Sequence, residues 1–253
     1  MLRPRIIPVL LLKENFLVKS VKFKSHDYIG DPLNAVKLFN DLKADELVFL
    51  DINASKNGTV VSFDLVKEIG EEANMPFSVG GGINTLAQIE NLIKAGAERI
   101  IIGNEAAVNP EFVSLAAKAF GSSTITVCID VKRNIFGKEL LYSLNGKKAH
   151  KYNLLDFAKL MEHNGVGELI VQSIERDGLM KGYDKHLIKT ISDGVTVPVV
   201  ALGGGGSYAD LKDMYGYCKV RGLGSGSTFV YQNEMKGVLI NYPTLKEKIA
   251  IYE

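Results

Sequence analysis

Eight short apolar runs recur along the chain, separated by longer segments in which apolar residues return every three or four positions. The runs are RIIPVLL (5–11), ELVFLDI (46–52), PFSVGG (76–81), RIIIG (99–103), TITVCID (124–130), ELIVQSI (168–174), PVVALGG (198–204) and VRGLGSG (220–226). They are rich in β-branched residues and lack strict alternation, as expected of parallel strands buried on both faces. The segments 31–44, 62–73, 85–96, 109–121, 154–165 and 185–194 carry the helical period. Asp31 before Pro32, and Asn109 before Pro110, read as helix caps with proline at the first helical position. The crossover around 207–219 is the weakest, with order expected to resume at 228–232.

Strands and helices in alternation predict an α/β chain folded as a single (β/α)8 TIM barrel over residues 1–253. A doubly wound open sheet fits the same alternation but gives no cause for a long-range repeat. PFSVGGG (76–82) resembles PVVALGGG (198–205), and ELVFLDI (46–52) parallels ELIVQSI (168–174), each pair offset by 122 residues (198 − 76 and 168 − 46). Gly81 to Gly103 and Gly204 to Gly226 are both 22 residues apart. Two half-barrels, about 1–122 and 123–253, account for this with one assumption.

Composition narrows the function classes. With 253 residues, 46% hydrophobic and a formal net charge of +1, the chain carries no electrostatic signature of nucleic acid or anionic membrane as partner. Cys128 and Cys218 make neither a disulfide framework nor a metal cluster, and His26, His150, His163 and His186 lack ligand spacing, so each reads as a surface or loop histidine. Neither metal nor cofactor is expected. No apolar stretch approaches the roughly 20 residues of a membrane span. With no secretion signal in the first residues, the cytoplasm is the expected location.

In a (β/α)8 barrel the chemistry sits at the C-terminal strand ends. Lys19, Asp51, Asn104, Glu105, Asp130, Lys132 and Asp177 fall there. Asp51 and Asp130 each end an apolar run, where a carboxylate is desolvated and suited to proton transfer; the plainer reading is that they cap neighbouring loops. Glycine clusters at 80–82, 203–206 and 224–227 fit backbone-amide cradles for a ligand with phosphate at each end, or mere tight turns. At the opposite strand ends, Arg5, Glu46, Arg99 and Glu168 read as a ring of alternating charge, either a solvated collar or a gate over the barrel axis. The 20–30 segment, SVKFKSHDYIG, reads as a lid or a disordered surface hairpin. The late tyrosines 208, 215, 217, 231 and 242 read as cover for the last helices.

Together RIIP (5–8), Lys19, GDP (30–32), DELVFLDI-AS (45–55), GGGI (80–83), ID-KR (129–133), GKK (146–148), GE (167–168), SI-RDG (173–178) and GY (182–183) carry a resemblance. Over essentially its whole length the chain resembles the cyclase subunit of imidazole glycerol phosphate synthase. The resemblance implies a barrel that docks a glutaminase on its N-terminal face and carries ammonia along its axis. There the ammonia meets a bisphosphorylated nucleotide analogue, giving imidazole glycerol phosphate and an aminoimidazole carboxamide ribotide. It assigns Arg5, Glu46, Arg99 and Glu168 to the gate, with one arginine in place of lysine. It assigns Asp51, Lys19 and Asp130 to the active site, and Gly82, Asn104, Asp177, Gly178, Gly204, Gly226 and Ser227 to the phosphate sites, with Asp177 orienting groups rather than touching phosphate.

The chain also departs from the family. Where the family motif reads like IIPCLDVK, this chain has IIPVLLLK, so Leu11 replaces one of two paired catalytic carboxylates, and Glu14 lies beyond the strand. Glu105 replaces a threonine beside a phosphate, Leu202 a serine and Asn53 a threonine. This pattern, with LVKS-KF (17–23) and VLINYP (238–243), resembles a divergent branch linked to surface polysaccharide. That branch is expected to pass ammonia to a separate amidotransferase converting an acetamido to an acetamidino sugar. The histidine-pathway cyclase ranks second, and a non-catalytic scaffold for a glutaminase third.

Overall fold

The computed structural model describes residues 3–218, 220–232 and 237–253. Eight strands form the barrel: β1 (Arg5–Lys13), β2 (Leu47–Asp51), β3 (Phe77–Gly80), β4 (Arg99–Ile102), β5 (Ile125–Arg133), β6 (Glu168–Ser173), β7 (Val199–Leu202) and β8 (Gly222–Ser225). Each pairs in parallel with the next, and β8 returns to β1 through Arg5↔Gly222 to Pro8↔Ser225, closing the sheet. Around it lie α1 (Pro32–Asp41), α2 (Phe63–Glu72), α3 (Leu86–Lys94), α4 (Glu111–Phe120), α5 (Leu154–His163), α6 (Lys185–Ser192), α7 (Tyr208–Tyr217) and α8 (Leu245–Tyr252).

The missing alternation has its cause in two apolar layers. Ile6, Leu10 and Leu12 of β1 pack outward against the helices with Phe39, Phe49, Phe157 and Phe229. Ile7 and Val9 point inward and meet Val48, Ile101, Cys128, Ile170, Val200 and Leu202 in a separate cluster on the barrel axis. A strand with both faces buried needs apolar residues at odd and even positions alike.

Three local features differ from the sequence reading. First, β1 and β5 each run on into an antiparallel hairpin above the barrel: Phe16–Val21 with Lys24–Gly30, and Glu139–Ser143 with Lys148–His150. The 20–30 segment is therefore hairpin strand. Its turns place consecutive non-glycine residues at positive φ, Glu14–Asn15 (53° and 65°), Lys22–Phe23 (53° and 59°) and, in the second hairpin, Leu144–Asn145 (52° and 57°). In the two-residue loops Glu14–Asn15 and Lys22–Phe23 this is the sign pattern of a type I′ turn, which matches strand twist, while the four-residue loop 144–147 continues into Gly146 at φ 72°. Second, Asn109 does not cap α4: Pro110 holds that position with no side-chain bond, and Asn109 instead ends the short helix Asn104–Val108. Asp31 does cap α1, accepting from the Asn34 N–H. Third, the crossover after β7 is a full helix, α7, opened by a reciprocal Ser207–Asp210 capping box; residue 219 lies outside the described residues. No described helix is long and apolar enough to cross a membrane.

The chain end closes the N-terminal side. Buried Tyr242 donates its hydroxyl proton to the Ile6 carbonyl (2.7 Å) and accepts from the Asp45 N–H (2.9 Å). Replacing Tyr242 with Phe leaves two main-chain groups unpaired. Denaturant titration is expected to show a loss of about 1–3 kcal/mol at unchanged m-value.

Candidate active site

At the N-terminal strand ends the four predicted charges meet. Arg5 bridges Glu46 (2.5 Å) and Glu168, and Arg99 reaches Glu46 at 3.1 Å. Ser78 Oγ donates to Glu46 Oε1 at 2.9 Å. Glu46 and Glu168 are only 2% and 7% exposed, so this is a buried network and not a solvated collar. Burial pushes the Glu168 carboxyl above its usual range; Arg5 opposes that rise and Glu46 adds to it. Thr126, on β5 in register with Glu168, carries a buried hydroxyl oxygen with no hydrogen-bond partner among the described residues.

Above the axial cluster, at the C-terminal rim, a cavity of about 160 Å³ opens between the two hairpins. Its walls include Asp51, Gly82, Asn104, Glu105 and Asp130, and its floor is apolar, with Leu11, Leu50, Ile101 and Cys128. Among the described residues, three carboxylates line it and no lysine or arginine does. Beside it is a water-sized niche of about 20 Å³, lined by Lys19, Asp177, Gly178, Gly204, Gly226 and Ser227. The predicted residues thus fall into two neighbouring pockets, with Asp130 of the second half in the larger and Lys19 of the first half in the smaller, and Leu11 and Gln172 line both.

The proton chemistry concentrates at Asp130. Burial raises its carboxyl to about 7; a hydrogen bond from Cys128 Sγ at 3.5 Å opposes the rise, and the negative charge of Asp177 adds to it. An acid with that affinity exchanges protons near neutral pH. Burial and the adjacent Asp130 push the Cys128 thiol well up, so it stays a neutral donor. Asp51 is held differently: its Oδ1 accepts from the Asn53 and Ala54 N–H groups, both at 2.9 Å, so it caps the turn after β2. The capping reading therefore applies to Asp51 and not to Asp130.

Lys19 lies on the first hairpin and is buried, aimed at Gly226: a Cβ added there would fall 2.1 Å from Lys19 Nζ. Asp177 pins that hairpin to the barrel. Its Oδ2 accepts from Ser20 Oγ (2.7 Å) and the Phe23 N–H (3.2 Å), and its carbonyl from the Lys22 N–H (3.0 Å). Gly178, with φ +67°, sits so close that a Cβ would be 2.1 Å from the Ser20 carbonyl. Its glycine is required by the hairpin whatever binds beside it. Leu11 is 8% exposed, and Glu14 sits in an exposed turn. Among the described residues, β1 brings no carboxylate to the cavity. The sequence reading missed Gln172, and it took His26 for a surface residue; His26 is exposed but lines the cavity from the hairpin. Hairpin pairing, which brings His26 over the rim, has no signal in the apolar pattern.

A closed α/β barrel with a polar cavity over an apolar axis defines the class, and comparison with known proteins gives the family. Residues 5–236 match the family described as histidine biosynthesis protein, to which this chain belongs. It is 41% identical over 249 residues to a Vibrio vulnificus (strain YJ016) protein provisionally named imidazole glycerol phosphate synthase subunit hisF3, covering 98% of this chain and 96% of that one. A Leptospira borgpetersenii protein, provisionally named as subunit HisF of the same synthase, is 43% identical over 253 residues and covers 100% of both chains. The subunit HisF of Alkaliphilus metalliredigens (strain QYMF) is 36% identical over 249 residues, covering 98% and 96%.

Two outcomes follow from the electrostatics. Arg5→Ala strands the buried Glu168 and takes one of three donors from Glu46, and is expected to cost roughly 3–5 kcal/mol of unfolding free energy at pH 7. The deficit shrinks as pH falls and Glu168 takes up a proton, which a pH series of denaturant titrations reads. Asp130 binds its proton more tightly folded (about 7) than unfolded (3.8). Its ionisation therefore costs stability that is absent below pH 3.8, grows through that window and is complete above 7. Asp130→Asn should be the more stable protein at pH 8, by up to about 4 kcal/mol, with the gap closing toward pH 4.

Proposed function

We propose that this chain is the synthase subunit of a glutamine-dependent pair of the imidazole glycerol phosphate synthase type. A glutaminase docks on the face that carries Arg5, Glu46, Arg99 and Glu168. Neutral ammonia passes the network and the apolar axis, and a phosphorylated substrate meets it in the rim cavity over Asp130. The observation that carries this reading is the stacking of buried charge network, apolar cluster and Asp130 cavity along one barrel axis. The names of the relatives support the imidazole glycerol phosphate synthase reading. They contain no term for polysaccharide, so the sugar-amidation reading, ranked first from the sequence, moves to second.

In this reading Asp130 holds and releases the proton that ring closure moves. Lys19, with the backbone around Gly204, Gly226 and Ser227, takes the phosphate at one end of the substrate. Gly82 and Asn104 flank the other end. Leu11 leaves Asp130 to work alone, and Glu105 lowers the affinity of its end for a dianion by like-charge repulsion.

Those two residues are the specific observations that favour the second reading. With one carboxylate lost and one phosphate end repelled, the barrel delivers ammonia to a separate enzyme that amidates an acetamido sugar. Turnover of the family's nucleotide substrate at saturating ammonium salt tests both, since it needs no glutaminase. Wild type is expected to close the ring slowly, and Leu11→Asp to accelerate it by about 10²–10⁴. Inactivity of both forms would move the assignment to ammonia delivery.

A further inference from the structure

Gln172 lies on β6, in register with Asp130 of β5 and Leu202 of β7. It is 5% exposed, yet its carboxamide makes no hydrogen bond to any described residue. Such a group offers two N–H donors and two acceptor lone pairs. The amide atoms are not sealed in the core but open onto the rim, where a ligand or water completes them. The side chain also borders both spaces at the rim, the Asp130 cavity on one side and the Lys19–Gly226 niche on the other. Its neighbours give a ligand little competing polarity: Leu11 and Leu202 are 8% and 4% exposed.

We infer that Gln172 is a specificity-determining residue that contacts the ligand between its phosphate and its reacting end. It reads a group that both donates and accepts, a hydroxyl on the carbons next to the phosphate ester. The inference rests on the proposed function for one point, that the niche takes the phosphate. A carboxamide in this position selects a phosphorylated polyol segment over a bare anion, because only the former completes its hydrogen bonds.

Equilibrium binding of two probes, inorganic phosphate and glycerol 3-phosphate, tests this with the full chain. Wild type is expected to prefer the glycerol ester about three- to ten-fold, the range of one hydrogen bond. Gln172→Met, of similar length, should keep the affinity for inorganic phosphate and lose the preference. It should also be no less stable than wild type without ligand, because the amide it removes has no protein partner. An equal preference in both proteins, or a destabilised Gln172→Met, would overturn the inference and leave the proposed function standing. Gly226→Ala, which closes the niche, should abolish phosphate binding. Phosphate that binds Gly226→Ala unchanged, or does not bind wild type, would overturn the phosphate end of the proposed function, and the role of Gln172 with it.

Discussion

Closure of the sheet between β8 and β1 is the constraint on which the rest depends. Once Arg5 pairs with Gly222 and Pro8 with Ser225, eight parallel strands deliver their C-termini to one rim. Every second side chain is then fixed on a shared axis. That axis holds Glu46 and Arg5 at one end, an apolar cluster at the centre and Asp130 at the other end. Arg5, Glu46 and Asp130 are far apart in sequence. An open sheet with the same strands would scatter them over a surface, whereas the barrel stacks them within one enclosed column.

The column also sets the character of each ionisable group. Glu46 is kept in the interior by three donors, Arg5, Arg99 and Ser78, which together offset the loss of hydration. Asp130 has only the weak thiol of Cys128, and its charge faces that of Asp177, so burial wins and the proton stays until near neutral pH. The same residue type behaves differently at Asp51, where two backbone N–H groups occupy one oxygen. Burial with a single weak donor, not residue identity, gives Asp130 its raised proton affinity.

Much of the fold was legible because burial on both faces leaves a distinct trace, uninterrupted apolar runs such as 99–103 and 168–174. The half-chain repeat was legible too, since glycine spacing survives wherever backbones must approach. The charged residues at strand starts could be read from position alone, whereas Leu11 stood out only through the resemblance to a family motif. The first hairpin could not, because its turn at Lys22–Phe23 carries no glycine to announce it, whereas Asn145–Gly146 in the second is a turn signal that the sequence reading passed over. Lys19 was placed after β1 by counting, but it takes the hairpin's antiparallel return to aim it at the niche. Gln172 hid inside an apolar run: what marks it is an unmatched amide, and that requires knowing every neighbour. Asn109 was misread because proline at the next position suits a helix start, whereas the short helix after β4 had already claimed the asparagine.

The Ser20–Asp177 contact has a consequence for the order in which the molecule assembles. Its two residues are 157 positions apart, one in each half-barrel, and the Phe23 and Lys22 amides are fastened to the same aspartate. Loop-closure entropy disfavours such a contact until the intervening strands have found their places. The hairpin over the cavity is therefore fastened late, when both halves are already in register. A nascent chain that has completed only its first half has β1 and the turn but no anchor for them. In this molecule the roof of the cavity reports that the barrel beneath it has closed.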